Sequence, residues 1–209
     1  MKGMNDMIIG AIISVASAAI SVVKALSTIY LGIEGAKLIA NLLTGLAKSL
    51  GLIEQNNPEE LGDKALQAED AGITPETCRT YEEYLQKVKE FEIDPEKSNK
   101  YTEEQKLLKG AELSAGAILN FAPNLPIQAF AEIVLKNSDF FTADWLKACT
   151  GVIKGGDDLA TLTGYIVGTE KNTEKLDRAT DMLVNLEKKL DSSISDDQAF
   201  RNVLRFERT

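Results

Sequence analysis

The chain of 209 residues contains no histidine, and this absence excludes several kinds of site. Without imidazole there is no Ser/His or Cys/His nucleophilic pair, no imidazole ligand for zinc, and no side chain whose ordinary pKa suits proton transfer near neutrality. Only two cysteines are present, Cys78 and Cys149, and they form no CxxC motif. Isolated thiols of this kind are typical of core residues in a reduced compartment, although one disulfide between them stays open.

Basic residues are also few, and they are not clustered. The chain carries 32 acidic and 23 basic side chains, which gives a net charge of −9. Residues 1–53 hold four lysines and two acids, whereas residues 54–209 hold the remaining 19 bases and 30 acids. Affinity for phosphate backbones depends on clustered lysine and arginine, so we expect no nucleic-acid partner.

No pattern in the sequence indicates a catalytic, cofactor-binding or metal site. Acid pairs such as Glu59/Glu60 and Glu82/Glu83 occur where helices are predicted to begin, and there they favour the helix dipole. We therefore expect a protein that is not an enzyme and needs no cofactor. An enzyme that uses only carboxylates, lysine or tyrosine is the remaining catalytic hypothesis, and two carboxyl groups in a deep pocket would be its sign.

The sequence does contain a long apolar N-terminal segment. Residues 7–23 are uncharged, and Lys24 is the only charge between Met7 and Ile33. Polar residues recur here every three or four positions, with a slip near Gly32, and this spacing predicts a helix with a narrow polar stripe rather than a strand. The segment is either one long helix or an αα-hairpin broken at Gly32 and Gly35, and the sequence leaves both open.

Three roles compete for this segment: a signal peptide, a membrane span, or a helix buried in protein. A signal peptide is disfavoured because Asp6 abuts the apolar core and the apolar character continues past the cleavage-like Ala16-Ser17-Ala18. A span is weak because 17 residues is about the lower limit and several are serine or alanine. We favour a helix whose apolar surface must be covered.

The predicted assembly or membrane face consists of the large aliphatic residues of this segment. They are Ile8, Ile9, Ile12, Ile13, Val15, Ile20, Val22, Leu26, Ile29, Leu31, Leu38, Ile39, Leu42, Leu43, Leu46 and Leu50. Small residues recur every fourth position in two further sets, a spacing that allows close helix packing. These sets are Gly10, Ser14 and Ala18, and Gly32, Ala36 and Ala40.

The rest of the chain predicts an all-α protein built as a bundle of short helices. Helix starts are marked by caps such as Asn57-Pro58 and by Thr-x-x-Gln or Ser-x-x-Gln capping boxes. Helices are expected near 58–70, 81–91, 103–121, 126–136, 143–153, 158–167, 173–190 and 196–206. We predict an apolar helical arm over residues 1–53, a linker over 54–57 and an acidic α-helical domain over 58–209.

Phe141 and Trp145 lie one helical turn apart in an aromatic patch. Such a pair can anchor in the groove of a partner, or it can fill the core of its own domain, and we prefer the second interpretation.

We predict a non-enzymatic helical protein that assembles through its apolar N-terminal helix. The other component is either further copies of the chain or a dedicated protein partner, and the acidic body forms the soluble part. A first alternative is a membrane-inserting or pore-forming protein, like a toxin or effector, that uses the apolar hairpin. A second is a membrane-anchored adaptor. A cytoplasmic or membrane-associated location fits each of these, and export stays open.

Overall fold

The computed structural model describes residues 2–54, 57–137, 141–149 and 151–206, without the side chains of residues 2–9, 143, 205 and 206. Within this part of the chain the regular structure is helical and no strand occurs, so the predicted all-α class is confirmed. Ile8 and Ile9 of the predicted face lie in a helix, but their side chains fall outside the description.

The described helices follow the predicted ones closely, and a short helix and a 3₁₀ turn (Pro75–Thr77) begin at Asp94-Pro95 and Thr74-Pro75, two further predicted helix starts. They are α1 (Lys2–Ile29), α2 (Gly32–Ser49), α3 (Pro58–Asp70), α4 (Tyr81–Glu90), α5 (Pro95–Ser98), α6 (Glu103–Phe121), α7 (Ile127–Lys136), α8 (Ala143–Cys149), α9 (Gly156–Val167), α10 (Thr173–Leu190) and α11 (Asp196–Phe206).

The predicted caps explain why these helices begin where they do. The Asn57 side chain accepts from the amide of Glu59 at 3.0 Å, and the Thr80 hydroxyl accepts from the amide of Glu83 at 3.0 Å. Thr102 and Gln105 form the reciprocal capping box at the start of α6. Each cap satisfies an amide that the helix itself leaves without a partner.

The N-terminal arm is a helical hairpin, not one continuous helix. The break falls at Tyr30 and Leu31, and Gly32 has a φ of +69°, a conformation that glycine adopts at little cost. At Gly35 a side chain is excluded, since an added Cβ would lie 2.1 Å from the carbonyl oxygen of Tyr30. α1 and α2 each contact α6 more extensively than they contact each other.

The chain divides into two compact units, Met1–Pro123 and Asn124–Thr209. The division therefore does not coincide with the predicted linker at 54–57, of which residues 55 and 56 lie outside the description. The physical reason is that α1, α2 and α3 all pack on α6. The arm and the first part of the acidic body thus share one core.

The centre of the first unit is α6, whose residues from Gly110 to Leu119 are buried apart from Glu112, which is half-buried. α3 crosses it at very short range: a Cβ at Gly110 would lie 2.0 Å from the carbonyl oxygen of Pro58, and one at Gly62 would lie 1.7 Å from that of Lys106. Two glycines at this crossing let the two backbones touch. The close packing expected in the arm therefore also occurs between α3 and α6.

The second unit contains α7 to α11. α10 contacts α8, α9 and α11, and it buries Ala179, Met182, Leu183 and Leu186. Cys149 is also buried there, and burial raises the pKa of its thiol to about 12. Cys78 is buried in the first unit, and both cysteines are free thiols. Their interpretation as core residues is confirmed.

Candidate functional site

The two helices of the hairpin bury very different shares of their surface. α2 buries nine of its 18 residues, mainly against α6. In α1 the stretch Gly10–Ile29 has a mean hydropathy of 1.9, and by length and composition it could cross a membrane. Only 22% of this apolar stretch is buried, and the buried residues are Ile12, Ala19, Val23 and Leu26.

The outward surface of α1, here called the open face, carries the polar stripe expected from the sequence. It consists of Gly10, Ser14, Ser17, Ala18, Ser21, Lys24 and Thr28, all of which are exposed. Several hydroxyls on this helix are already satisfied: Ser21 donates to the Ser17 carbonyl at 2.8 Å and Thr28 donates to the Ala25 carbonyl at 2.6 Å. Covering this face would therefore leave few hydrogen-bonding groups without a partner.

The predicted aliphatic face is divided by the fold. Its members that are buried in the first unit are Ile12, Leu26, Ile39, Leu42, Leu43 and Leu46. Its half-buried members are Ile13, Val15, Val22 and Leu50. Ile20, Ile29, Leu31 and Leu38 remain exposed. The chain itself thus buries six of the fourteen described aliphatic residues and leaves four exposed.

The two small-residue sets also differ. Ala36 and Ala40 face the core and let α2 approach α6, while Gly32 lies at the exposed turn. Gly10, Ser14 and Ala18 all face solvent on α1. The second set therefore packs inside the unit, and the first set is left without a neighbouring helix among the described residues.

The turn between α1 and α2 exposes large aliphatic side chains. Leu31 is 75% exposed, Leu38 52% and Ile29 50%, and Ile33 is also exposed. We call these four residues the hairpin tip. Exposed aliphatic side chains grouped at one end of a hairpin are characteristic of surfaces that contact protein or lipid.

A cavity of about 290 Å³ lies beside α1, lined by Ala16, Ser17 and Ile20 of that helix and by polar residues of α3, α4 and α6. The Lys109 ammonium lines it, 2.6 Å from Glu69 and 3.2 Å from Glu112. The Tyr84 hydroxyl donates to Glu69 at 3.0 Å, and the Tyr81 hydroxyl donates to the Leu113 carbonyl at 3.3 Å. We call this the acidic cavity.

The electrostatics of the acidic cavity are shaped by burial. Burial raises the pKa of Glu112, and the nearby Lys109 only partly offsets this effect. Burial also raises the pKa of both tyrosines, with the negative charge of Glu69 adding to the shift. The pKa of Lys109 is raised because its two carboxylate partners outweigh its burial. Lys109 therefore remains a cation over the whole physiological range.

Two carboxylates in one cavity is the sign named above for a carboxylate enzyme. Here Glu69 and Glu112 both contact the Lys109 ammonium, and Lys109 lowers the pKa of Glu112 less than burial raises it. This cluster is difficult to predict from the sequence because its residues come from three different helices, α3, α4 and α6. The one available signal is Glu112, the only charged residue between Gly110 and Asn120.

A second polar cluster fastens α3 to the start of α6. Asp63 accepts from Gln67 at 2.8 Å, from the Lys106 ammonium at 3.1 Å and from the Ser98 hydroxyl. Burial would raise the pKa of Asp63, but these hydrogen bonds outweigh it and hold the pKa below its ordinary value of 3.8. All its polar atoms have partners within the unit, which is typical of a structural network.

Two grooves also lie outside the hairpin. One of about 560 Å³ lies between residues 51–54, α3 and α4, and the Lys89–Glu54 ion pair spans its rim at 2.8 Å. The other, of about 520 Å³ in the second unit, has Arg178 bound to Asp158 on its wall. Each groove thus has at least one ion pair formed within the chain on its wall, Lys89–Glu54 in the first and Arg178–Asp158 in the second.

The aromatic pair of the second unit is part of its core. Trp145 is 1% exposed and its ring meets that of Phe141 edge-on at 4.9 Å between centroids. Phe130 packs on Phe141 in the same way at 6.4 Å. The hypothesis that Phe141 and Trp145 anchor a partner is not supported, because both side chains already fill their own unit.

The fold and surfaces define an all-α protein with a partly covered apolar hairpin. Comparison with known proteins adds nothing to this description: no family model, no curated protein and no solved structure matches the chain.

Proposed function

We propose that this protein acts by self-association, with the open face of α1 packed against the same face of a second copy. One observation carries the proposal: α1 is an apolar helix, yet only 22% of its stretch Gly10–Ile29 is buried. An apolar helix with so much free surface gains by burial against another molecule.

The composition of the open face favours a protein helix over lipid as its neighbour. Gly10, Ser14 and Ala18 give a smooth surface along which another helix backbone can come close. Lipid tails instead favour large aliphatic side chains, and among the described residues of α1 only two of these, Ile20 and Ile29, are exposed. A twofold axis across this face would bring two identical small-residue sets together, as isologous dimers require.

The test is sedimentation velocity of the full chain in detergent-free buffer over a range of micromolar concentrations. Ala18→Glu places a carboxylate in the middle of the open face and should raise the dissociation constant about a hundredfold, because a buried unpaired charge costs several kcal/mol. Asn41→Glu adds the same charge on an exposed position of α2 and should leave association unchanged.

If Ala18→Glu and Asn41→Glu sediment alike, the open face is not the interface. If the wild-type protein remains a monomer throughout, self-association itself is excluded under these conditions.

We propose membrane contact through the hairpin tip as a second candidate function. Its support is the group of exposed aliphatic side chains at Ile29, Leu31, Ile33 and Leu38, the first three of which lie in the uncharged stretch between Lys24 and Glu34. Dye release and co-sedimentation with liposomes test it. Leu31→Ser should reduce both signals if the tip enters the bilayer, while Ala18→Glu should affect them less.

A further inference from the structure

We infer that the acidic cavity receives the partner's Lys24 when two copies associate through the open face. The inference rests on the proposed self-association and adds the contact that fixes its register. It starts from two charged groups on the same side of the first unit, neither of which has an ion-pair partner among the described residues.

The first of these groups is Lys24. Its side chain is exposed, it is the only charge on the open face, and no ion pair within the described residues involves it. Ser17, Ile20 and Lys24 are spaced three and four apart, so they follow one side of α1. Ser17 and Ile20 line the acidic cavity. Lys24 therefore extends from the side of α1 on which the cavity opens.

The second group is Glu76, on the 3₁₀ turn at the rim of the acidic cavity. Its exposed carboxylate hydrogen-bonds with Thr74 and is attracted by Lys109, but unlike Glu69 and Glu112 it makes no ion pair among the described residues. The cavity lining thus has three carboxylates and one ammonium, a formal charge of −2. A further cation would bring this site closer to neutrality, and a lysine side chain fits a cavity of this size.

The geometry of an antiparallel α1 pair brings these two groups together. The open face runs from Gly10 to Thr28, so a twofold axis at its middle lies near residues 19–20. Residue 24 of one copy then lies opposite residues 14–16 of the other. A lysine side chain spans roughly 6 Å, about four residues of helix rise, and this reaches the cavity mouth at Ser17 and Ile20.

Symmetry makes the contact reciprocal. In an isologous dimer the partner's Lys24 enters the acidic cavity of the first copy, and Lys24 of the first copy enters the cavity of the partner. Two equivalent charge contacts then flank the small residues at the centre. This arrangement selects the antiparallel register over others that the smooth open face would accept equally well.

Charge reversal tests this contact. Lys24→Glu and Glu76→Lys each turn two attractive contacts into two repulsive ones, so each should raise the dissociation constant about tenfold or more. An equimolar mixture of the two variants should associate nearly as tightly as wild type, since both contacts are then between opposite charges. Lys100→Glu is the matched control, because Lys100 is exposed outside the cavity lining, and it should have no effect.

The mixture also distinguishes a contact between two copies from an ion pair within one chain. Mixing the variants cannot restore an intrachain pair, because each chain still carries its own changed residue. Both changed residues are exposed, and a thermal melt checks that each variant folds. If one does not, Lys24→Gln and Glu76→Gln replace the reversals, and each should weaken association and reduce its salt dependence.

If the two charge-reversal variants associate as tightly as wild type, or if their mixture does not recover wild-type affinity, the Lys24 contact is overturned and self-association itself still stands. A wild-type protein that stays monomeric overturns both.

Discussion

α1 and α2 are neighbouring apolar helices with similar small-residue spacing, yet the fold covers only one of them well. α2 places Ala36, Ala40 and its leucines against α6, and nine of its 18 residues are buried. α1 buries four residues of its span-length stretch and leaves Gly10, Ser14 and Ala18 outside. The same sequence pattern thus serves internal packing in one helix and remains free for another molecule in the other.

The largest effect should come from the buried side of α2. Leu43→Ala removes a side chain that is 1% exposed and should lower the free energy of unfolding by about 2–5 kcal/mol, because it leaves a cavity. Leu38→Ala, the same change at an exposed position of the same helix, should cost no more than about 0.5 kcal/mol. Urea denaturation measures both. Equal losses would mean that α2 does not pack as described.

Glycines should respond in opposite directions on the two sides of the unit. Gly110→Ala forces a Cβ against the backbone of Pro58 and should destabilise by about 1–3 kcal/mol. Gly10→Ala meets no atom within 4 Å and should stabilise by about 0.5–1 kcal/mol through helix propensity. Thermal melts at low protein concentration compare them. A destabilising Gly10→Ala would contradict the open position of Gly10.

A smaller loss is expected at the polar contact between α2 and α6. Ser114 donates to the Gly110 carbonyl at 2.9 Å, so Thr44 must be the donor in the 3.0 Å bond between the two hydroxyls. Thr44→Val removes that donor and should cost about 1 kcal/mol by denaturant titration. An unchanged free energy of unfolding would show that the bond between the two hydroxyls does not stabilise the packing of α2 on α6.

Two carboxylates should give pH dependences of opposite sign. The pKa of Asp63 is lowered in the folded protein, so its contribution is present above pH 3.8 and is lost as the pH falls. The pKa of Glu112 beside α1 is raised above 4.5, so the folded state holds that proton more tightly, and this contribution declines as the pH rises through the folded pKa.

Unfolding free energies of Asp63→Asn and Glu112→Gln between pH 3 and pH 7 measure these contributions. The deficit of Asp63→Asn relative to wild type should shrink toward low pH. Glu112→Gln should gain relative to wild type toward neutral pH. If the unfolding free energies of the two variants relative to wild type changed with pH in the same direction, the opposite pKa shifts of Asp63 and Glu112 would be contradicted.

The all-α fold follows from the sequence because its signals are local. Caps such as Asn57 and Thr102 act within one turn, and the 3.6-residue period of apolar positions is set by each helix alone. The hairpin turn is marked by Gly32, although the sequence left open whether the arm is a hairpin or one continuous helix. These features need no knowledge of distant contacts.

The division into units and the acidic cavity could not be predicted in the same way. The arm joins the first unit because α6 offers a surface of alanine, glycine and serine to three helices. The sequence of one helix does not show which other helix its apolar face will contact. Lys109 and Glu112 are one turn apart on α6, but Glu69 joins them only after α3 has packed on α6. The aromatic pair illustrates the converse: Phe141 and Trp145 were visible as a patch, but only packing decides whether such a patch is core or surface.

Coverage of the open face of α1 by a second copy of the chain can be measured by sedimentation equilibrium of the 209-residue chain in detergent-free buffer. Self-association predicts a mass that rises with concentration above the 22.8 kDa of one chain and that stays near 22.8 kDa in Ala18→Glu. A wild-type mass that remains at 22.8 kDa at every micromolar concentration would contradict it.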